Sequence, residues 1–113
     1  MGISWGRYEF DDPVKFATWS PVRRAGIYAI AYKADPINEP TRYIPVYFGK
    51  IDDTDHRESL STHNRFQCWI AQAGSRDNIY VSAYYMPRSS ESERAAVREE
   101  LIRQYDPACN GLR

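Results

Sequence analysis

Tyr28 and Tyr47 each stand beside a glycine at an end of a strand-like run, in the words Gly26-Ile27-Tyr28 and Tyr47-Phe48-Gly49. Lys50 follows the second word directly, Arg57 lies eight residues after Gly49, and Asn110 stands near the far end. A planar guanidinium fork suits phosphate oxygens, and aromatic faces suit stacked bases. Residues of these types can meet phosphate oxygens and bases, or serve as plain sheet tyrosines, a solvated lysine and a surface arginine. A second arginine sharpens the point. Ser90-Glu91-Ser92-Glu93 is a capping box and opens a helix predicted to run to about Tyr105. At about 100° per residue, Val97, Leu101, Tyr105, Ile102 and Ala95 share one arc, with Arg98 near its centre and Arg94 at its border. Glu99 and Glu100 fall on the opposite side. An arginine on a core-facing stripe needs an anionic partner or must snorkel. Its partner could be Glu58 or Asp55 of the preceding helix, or a phosphate shared with Arg57.

These residues together resemble the GIY-YIG nuclease family. The two tripeptides supply Tyr28 and Tyr47, with Phe48 in place of the usual aliphatic residue. Arg57 matches the family's arginine, and Lys50 follows the glycine as in the branch similar to the excision-repair endonucleases. The closing pattern of that branch matches the run Leu101-Ile102-Arg103-Gln104-Tyr105-Asp106-Pro107-Ala108-Cys109-Asn110. The match covers residues 26–110. Three departures stand out. The loop holding residues 33–42 is longer than usual. Ser61 stands where some members carry histidine or tyrosine, with His63 two residues on as a substitute. The position of the family's metal-binding glutamate is Arg98.

The resemblance implies an α+β domain, a small three-stranded, mainly antiparallel sheet flanked by helices, spanning 1–113 with a motif-bearing core at 25–110 and an N-terminal extension at 1–24. It implies hydrolysis of nucleic-acid phosphodiester bonds, with magnesium or manganese as cofactor if the site is active. Tyr28 would be the base, aided by Lys50, because a phenol with an ordinary pKa of about 10 needs a neighbouring charge. Tyr47 would position water or phosphate, Arg57 would clamp the phosphate, and Asn110 would orient the site. Arg98 and His63 would contact substrate, and the metal ligands are unknown. Replacing a carboxylate by a guanidinium about 5 Å from a dication swings the interaction by on the order of 10 kcal/mol at an effective dielectric near 20. The expected product is thus either a nuclease with an altered metal site or an inactive relative. Such a relative would bind DNA, RNA or another phosphate-bearing ligand, or act as an inhibitor or complex subunit toward a protein partner.

The elements that must position these residues follow from local patterns. Residues 5–10 suit an extended segment. Asp12-Pro13 starts a predicted short helix over 13–19. Residues 25–32 and 43–49 are predicted strands, paired as a long-looped hairpin, with Pro45 marking an edge or a bulge. A helix is expected over 55–61 and again over 66–73, stopped by Gly74. A third strand covers 78–86, and Pro107 stops the last helix.

The chain's 113 residues suffice for one core. Lysine plus arginine and aspartate plus glutamate each total 15, a balance that argues mildly against strong standalone DNA affinity. Nine tyrosines suit strands with a wet side. No apolar run reaches membrane-spanning length, so no membrane partner is expected. The first ten residues lack a signal pattern, so a cytoplasmic location is expected. Cys68 and Cys109 match no zinc spacing and are expected as two reduced thiols packed as small hydrophobes.

Overall fold

The computed structural model describes residues 2–19, 24–51 and 63–110. Within them the chain is α+β, with one two-stranded and one four-stranded antiparallel sheet and two α-helices. A hairpin comes first: β1 (Ile3–Trp5) pairs with β2 (Tyr8–Phe10) around Gly6, whose φ of 61° a side chain would resist. Residues 13–19 are not the expected helix. Val14–Lys15 forms β3, and Phe16–Thr18 forms a single 3-10 turn. The proline that could start a helix here precedes a β-pair instead, because Val14 and Lys15 meet Val81 and Tyr80 across the sheet.

The larger sheet runs β3-β6-β4-β5. β4 (Gly26–Tyr32) is central, β5 (Ile44–Ile51) is an edge, and β6 (Ile79–Tyr85) lies on the other side of β4. The expected three strands are thus present, and the short β3 makes a fourth. The register of β4 with β5 shifts between Ile30 and Ala31, opposite Tyr47 and Pro45. That is the bulge the proline predicts, on the edge strand where a missing donor costs least.

Side chains alternate across the sheet and divide the core in two. On one face Tyr28, Ile30, Val46, Tyr47, Ile79 and Val81 pack with Phe66 and Trp69 of α1 (Phe66–Ala73). On the other, Ile27, Ala29, Ala31 and Phe48 pack with Val97 and Leu101 of α2 (Glu91–Tyr105), and Trp5 and Phe10 of the hairpin close the layer. Gly74 ends α1 at φ 86°, and the capping box starts α2 with Ser90 Oγ accepting from Glu93 N at 3.1 Å. The helix expected over 55–61 lies outside the described residues.

Cys68 and Cys109 are not reduced thiols: they form a disulfide with Cα atoms 5.9 Å apart. It ties α1 to the segment after α2 across 41 residues of chain. Bonds of this kind belong to oxidising surroundings in most proteins, so the cysteines do not support the expected cytoplasmic location. No helix among the described residues is long and apolar enough to cross a membrane.

Candidate functional site

β4 and β5 bring Tyr28 and Tyr47 together on the α1 face. Their ring centroids are 6.0 Å apart, and both residues are at least nine-tenths buried. Gly49 explains the second glycine word physically. It pairs with Tyr28 across the strands, and a Cβ there would run into the Tyr28 ring and hydroxyl. Tyr28 therefore lies flat over a position that only glycine leaves open.

His63 joins this pair from just before α1. Its Nε2 lies 3.3 Å from the Tyr47 hydroxyl. Its Nδ1 accepts the Arg65 backbone N–H at 3.0 Å, and its carbonyl accepts from Phe66. The imidazole thus serves the start of α1 as well as Tyr47. Trp69 completes the setting. It lies 4.9 Å from the His63 ring and 5.4 Å from the Tyr47 ring. Trp69 is fully buried core, and its position fixes two polar neighbours.

The remaining expected site residues divide differently. Lys50 pairs in register with Ile27, on the α2 face, and its Nζ meets Glu91 of α2 at 3.4 Å. It does not sit beside Tyr28, because alternation along β5 sends the residue after Gly49 to the other side. Asn110 grips the outer edge of β5. Its Oδ1 accepts from Phe48 N at 2.7 Å and its Nδ2 donates to Phe48 O at 3.0 Å, while Cys109 N donates to Val46 O at 2.9 Å. The segment after α2 thereby covers the edge that β5 would otherwise expose. Arg57 lies outside the described residues, as do Asp55, Glu58 and Ser61.

Arg98 does not lie at the centre of the buried stripe. The innermost residues of α2 are Arg94, Val97 and Leu101, a stripe centred roughly 60° from Arg98 on a helix turning about 100° per residue. Ala95 and Ile102 drew the expected arc too far round; both are only half-buried. Arg98 keeps 27 % of its side chain exposed. Its Nε donates to Phe48 O at 3.0 Å, and its Nη1 meets Glu99 at 3.3 Å. Arg94 is the buried arginine, with Nη1 donating to the carbonyl and hydroxyl of Ser89. The expected ion-pair partners, Glu58 and Asp55, lie outside the described residues.

Among the described residues, the position where the family resemblance implies a metal-binding carboxylate holds Arg98. Where a carboxylate is needed, the Arg98 guanidinium is committed to a carbonyl already shared with Asn110. Among the described residues no group of three histidine, cysteine or carboxylate side chains is placed to hold an ion.

Among the described residues a surface depression of about 510 Å³ is lined by Glu9, Asp11, Asp12, Tyr84 and Tyr85 among others. Burial, then the nearby Asp11 charge, holds the Tyr85 hydroxyl above its ordinary pKa. Its carboxylates give it the wrong sign for a phosphate.

No protein-family model, curated protein or solved structure matches the chain.

Proposed function

We propose that this chain is a GIY-YIG-like domain that binds nucleic-acid phosphates on its α1 face, with phosphodiester hydrolysis weak or lost. The observation that carries this reading is the convergence of Tyr28, Tyr47 and His63 beside Gly49. An ordinary sheet face has no need of a glycine shaped to one tyrosine ring and a histidine aimed at another. Arg57 supplies the cationic fork in this reading, and the tyrosines supply hydroxyl donors. The lean toward binding rests on Arg98, whose side chain is used to fasten β5 rather than to hold a cation. DNA is the first ligand to try.

A protein-interaction module is the second reading. The equal numbers of acidic and basic residues favour it, since a domain held to nucleic acid by charge alone usually carries a basic excess.

Fluorescence anisotropy with a single-stranded DNA of about 20 nucleotides separates the readings. The proposal expects binding that weakens as salt rises and falls at least tenfold in Arg57→Ala. Plasmid nicking with magnesium or manganese should be slight. Robust nicking abolished in Tyr28→Phe would make the chain an active nuclease. No binding at low salt, together with no nicking, would leave the interaction module.

A further inference from the structure

The nucleic-acid reading treats His63 as a residue that touches substrate. The hydrogen bonds around it argue for a different role. A backbone N–H can only donate, so the Arg65 N–H pointing at Nδ1 requires that nitrogen to be a bare acceptor. A neutral imidazole then carries its proton on Nε2. Nε2 faces the Tyr47 hydroxyl, so the histidine donates and the phenol oxygen accepts. The phenol's own proton is thereby left for another acceptor. The Tyr47 ring cannot swing away easily, being packed against Tyr28, His63 and Trp69 at centroid distances of 6.0, 5.1 and 5.4 Å.

We propose that His63 is a positioning residue: through the Arg65 N–H, it fixes Tyr47 as a hydrogen-bond donor to a phosphate oxygen of the bound ligand. This rests on the nucleic-acid reading and deepens it. It divides the tyrosines by task. With His63 donating to its oxygen, the neutral Tyr47 phenol has its own O–H to offer as a hydrogen-bond donor. A phosphate oxygen, which only accepts, is the complementary partner, and a hydrogen bond to a charged acceptor is among the stronger ones.

The structural alternative is that His63 only caps the start of α1. Asparagine separates the two roles, because its Oδ1 can still accept from the Arg65 N–H while it offers no donor at the Nε2 position. The His63→Asn variant should keep a wild-type melting temperature to within a few degrees and lose about tenfold in affinity for the 20-nucleotide strand. Tyr47→Phe should lose the same amount, and the double variant no more than either. His63→Gln, which restores a donor near the Nε2 position, should recover part of the loss. Nitrogen-15 NMR of the His63 ring in the free wild-type protein checks the premise of the assignment: a bare Nδ1 and a protonated Nε2. A proton on Nδ1, or a folded His63→Asn variant that binds like wild type, overturns the assignment while leaving the nucleic-acid reading intact. Should His63→Asn fail to fold, the ring tautomer and Tyr47→Phe decide. A wild-type protein that binds no DNA overturns the reading and this assignment together.

Discussion

The two faces of the sheet are built from the same strands and put to different uses. On the α2 face every conspicuous polar group is spent on structure. Lys50 meets Glu91, Tyr105 accepts the Gly6 N–H at 2.6 Å, and Tyr8 and Arg7 both bond Glu100. On the α1 face the polar groups meet one another: hydroxyl, imidazole and phenol rings lie in one aromatic setting. The edge of β5 is the border between them, and there Arg98 and Asn110 converge on Phe48. The difference teaches that a residue's place in a motif does not decide its work. Asn110 and Arg98 fasten an edge, while the more deeply buried Tyr28 and Tyr47 keep a chemically useful surrounding.

The largest effect expected from breaking this arrangement comes from the bond that joins the α1 face to the β5 edge. Cys109→Ser, or reduction, should cost roughly 3–4 kcal/mol of unfolding free energy, the loop-closure value for a crosslink spanning some forty residues. Urea unfolding with and without reductant reads it, and an unchanged midpoint would deny the bond a role in stability. Next comes the edge clamp. Asn110→Ala strips Phe48 N–H of its partner and should cost about 2 kcal/mol. Arg98→Met should cost less, about 1 kcal/mol, because Phe48 O keeps Asn110 as a donor. The reverse order would mean that Arg98, not Asn110, holds the edge.

The sequence carried much of this and hid the rest for physical reasons. The capping box at Ser90, the stop at Gly74 and the bulge at Pro45 are local chemistry, and each acts where its residues stand. The three long strands follow from β-branched and aromatic runs. The disulfide was hidden because 41 residues of separation carry no local signature. The strand β3 was hidden because two residues paired across the sheet outweigh a good helix start. Arg98 was misplaced by averaging over weakly buried Ala95 and Ile102. The far-side position of Lys50 was legible in principle, since alternation from Tyr47 determines it once the bulge ends.

An effect comparable to the edge clamp's sharpens the α1 face. Gly49→Ala pushes a methyl group into the Tyr28 ring and should cost about 1–3 kcal/mol, with altered tyrosine fluorescence. A neutral outcome would mean that the Tyr28 ring is free to leave that position. The smallest effect belongs to the α2 face and to pH. The Arg7 bond, then the Tyr8 hydroxyl, holds the Glu100 carboxyl below its ordinary value of 4.5. A carboxyl depressed in the folded state adds stability above its unfolded pKa and loses it as pH falls through the folded one. The pair is exposed, so Glu100→Gln should remove only a slight part of the acid sensitivity below pH 4.5. Denaturation midpoints across pH 3–6 check this.

The most direct test of the division between the faces is amide and side-chain NMR mapping during titration with the 20-nucleotide DNA strand. The account predicts shifts concentrated at Tyr28, Tyr47, His63 and the start of α1, with α2 and the β1–β2 hairpin silent. Shifts confined to α2 or the hairpin, with the tyrosine pair unmoved, would contradict it.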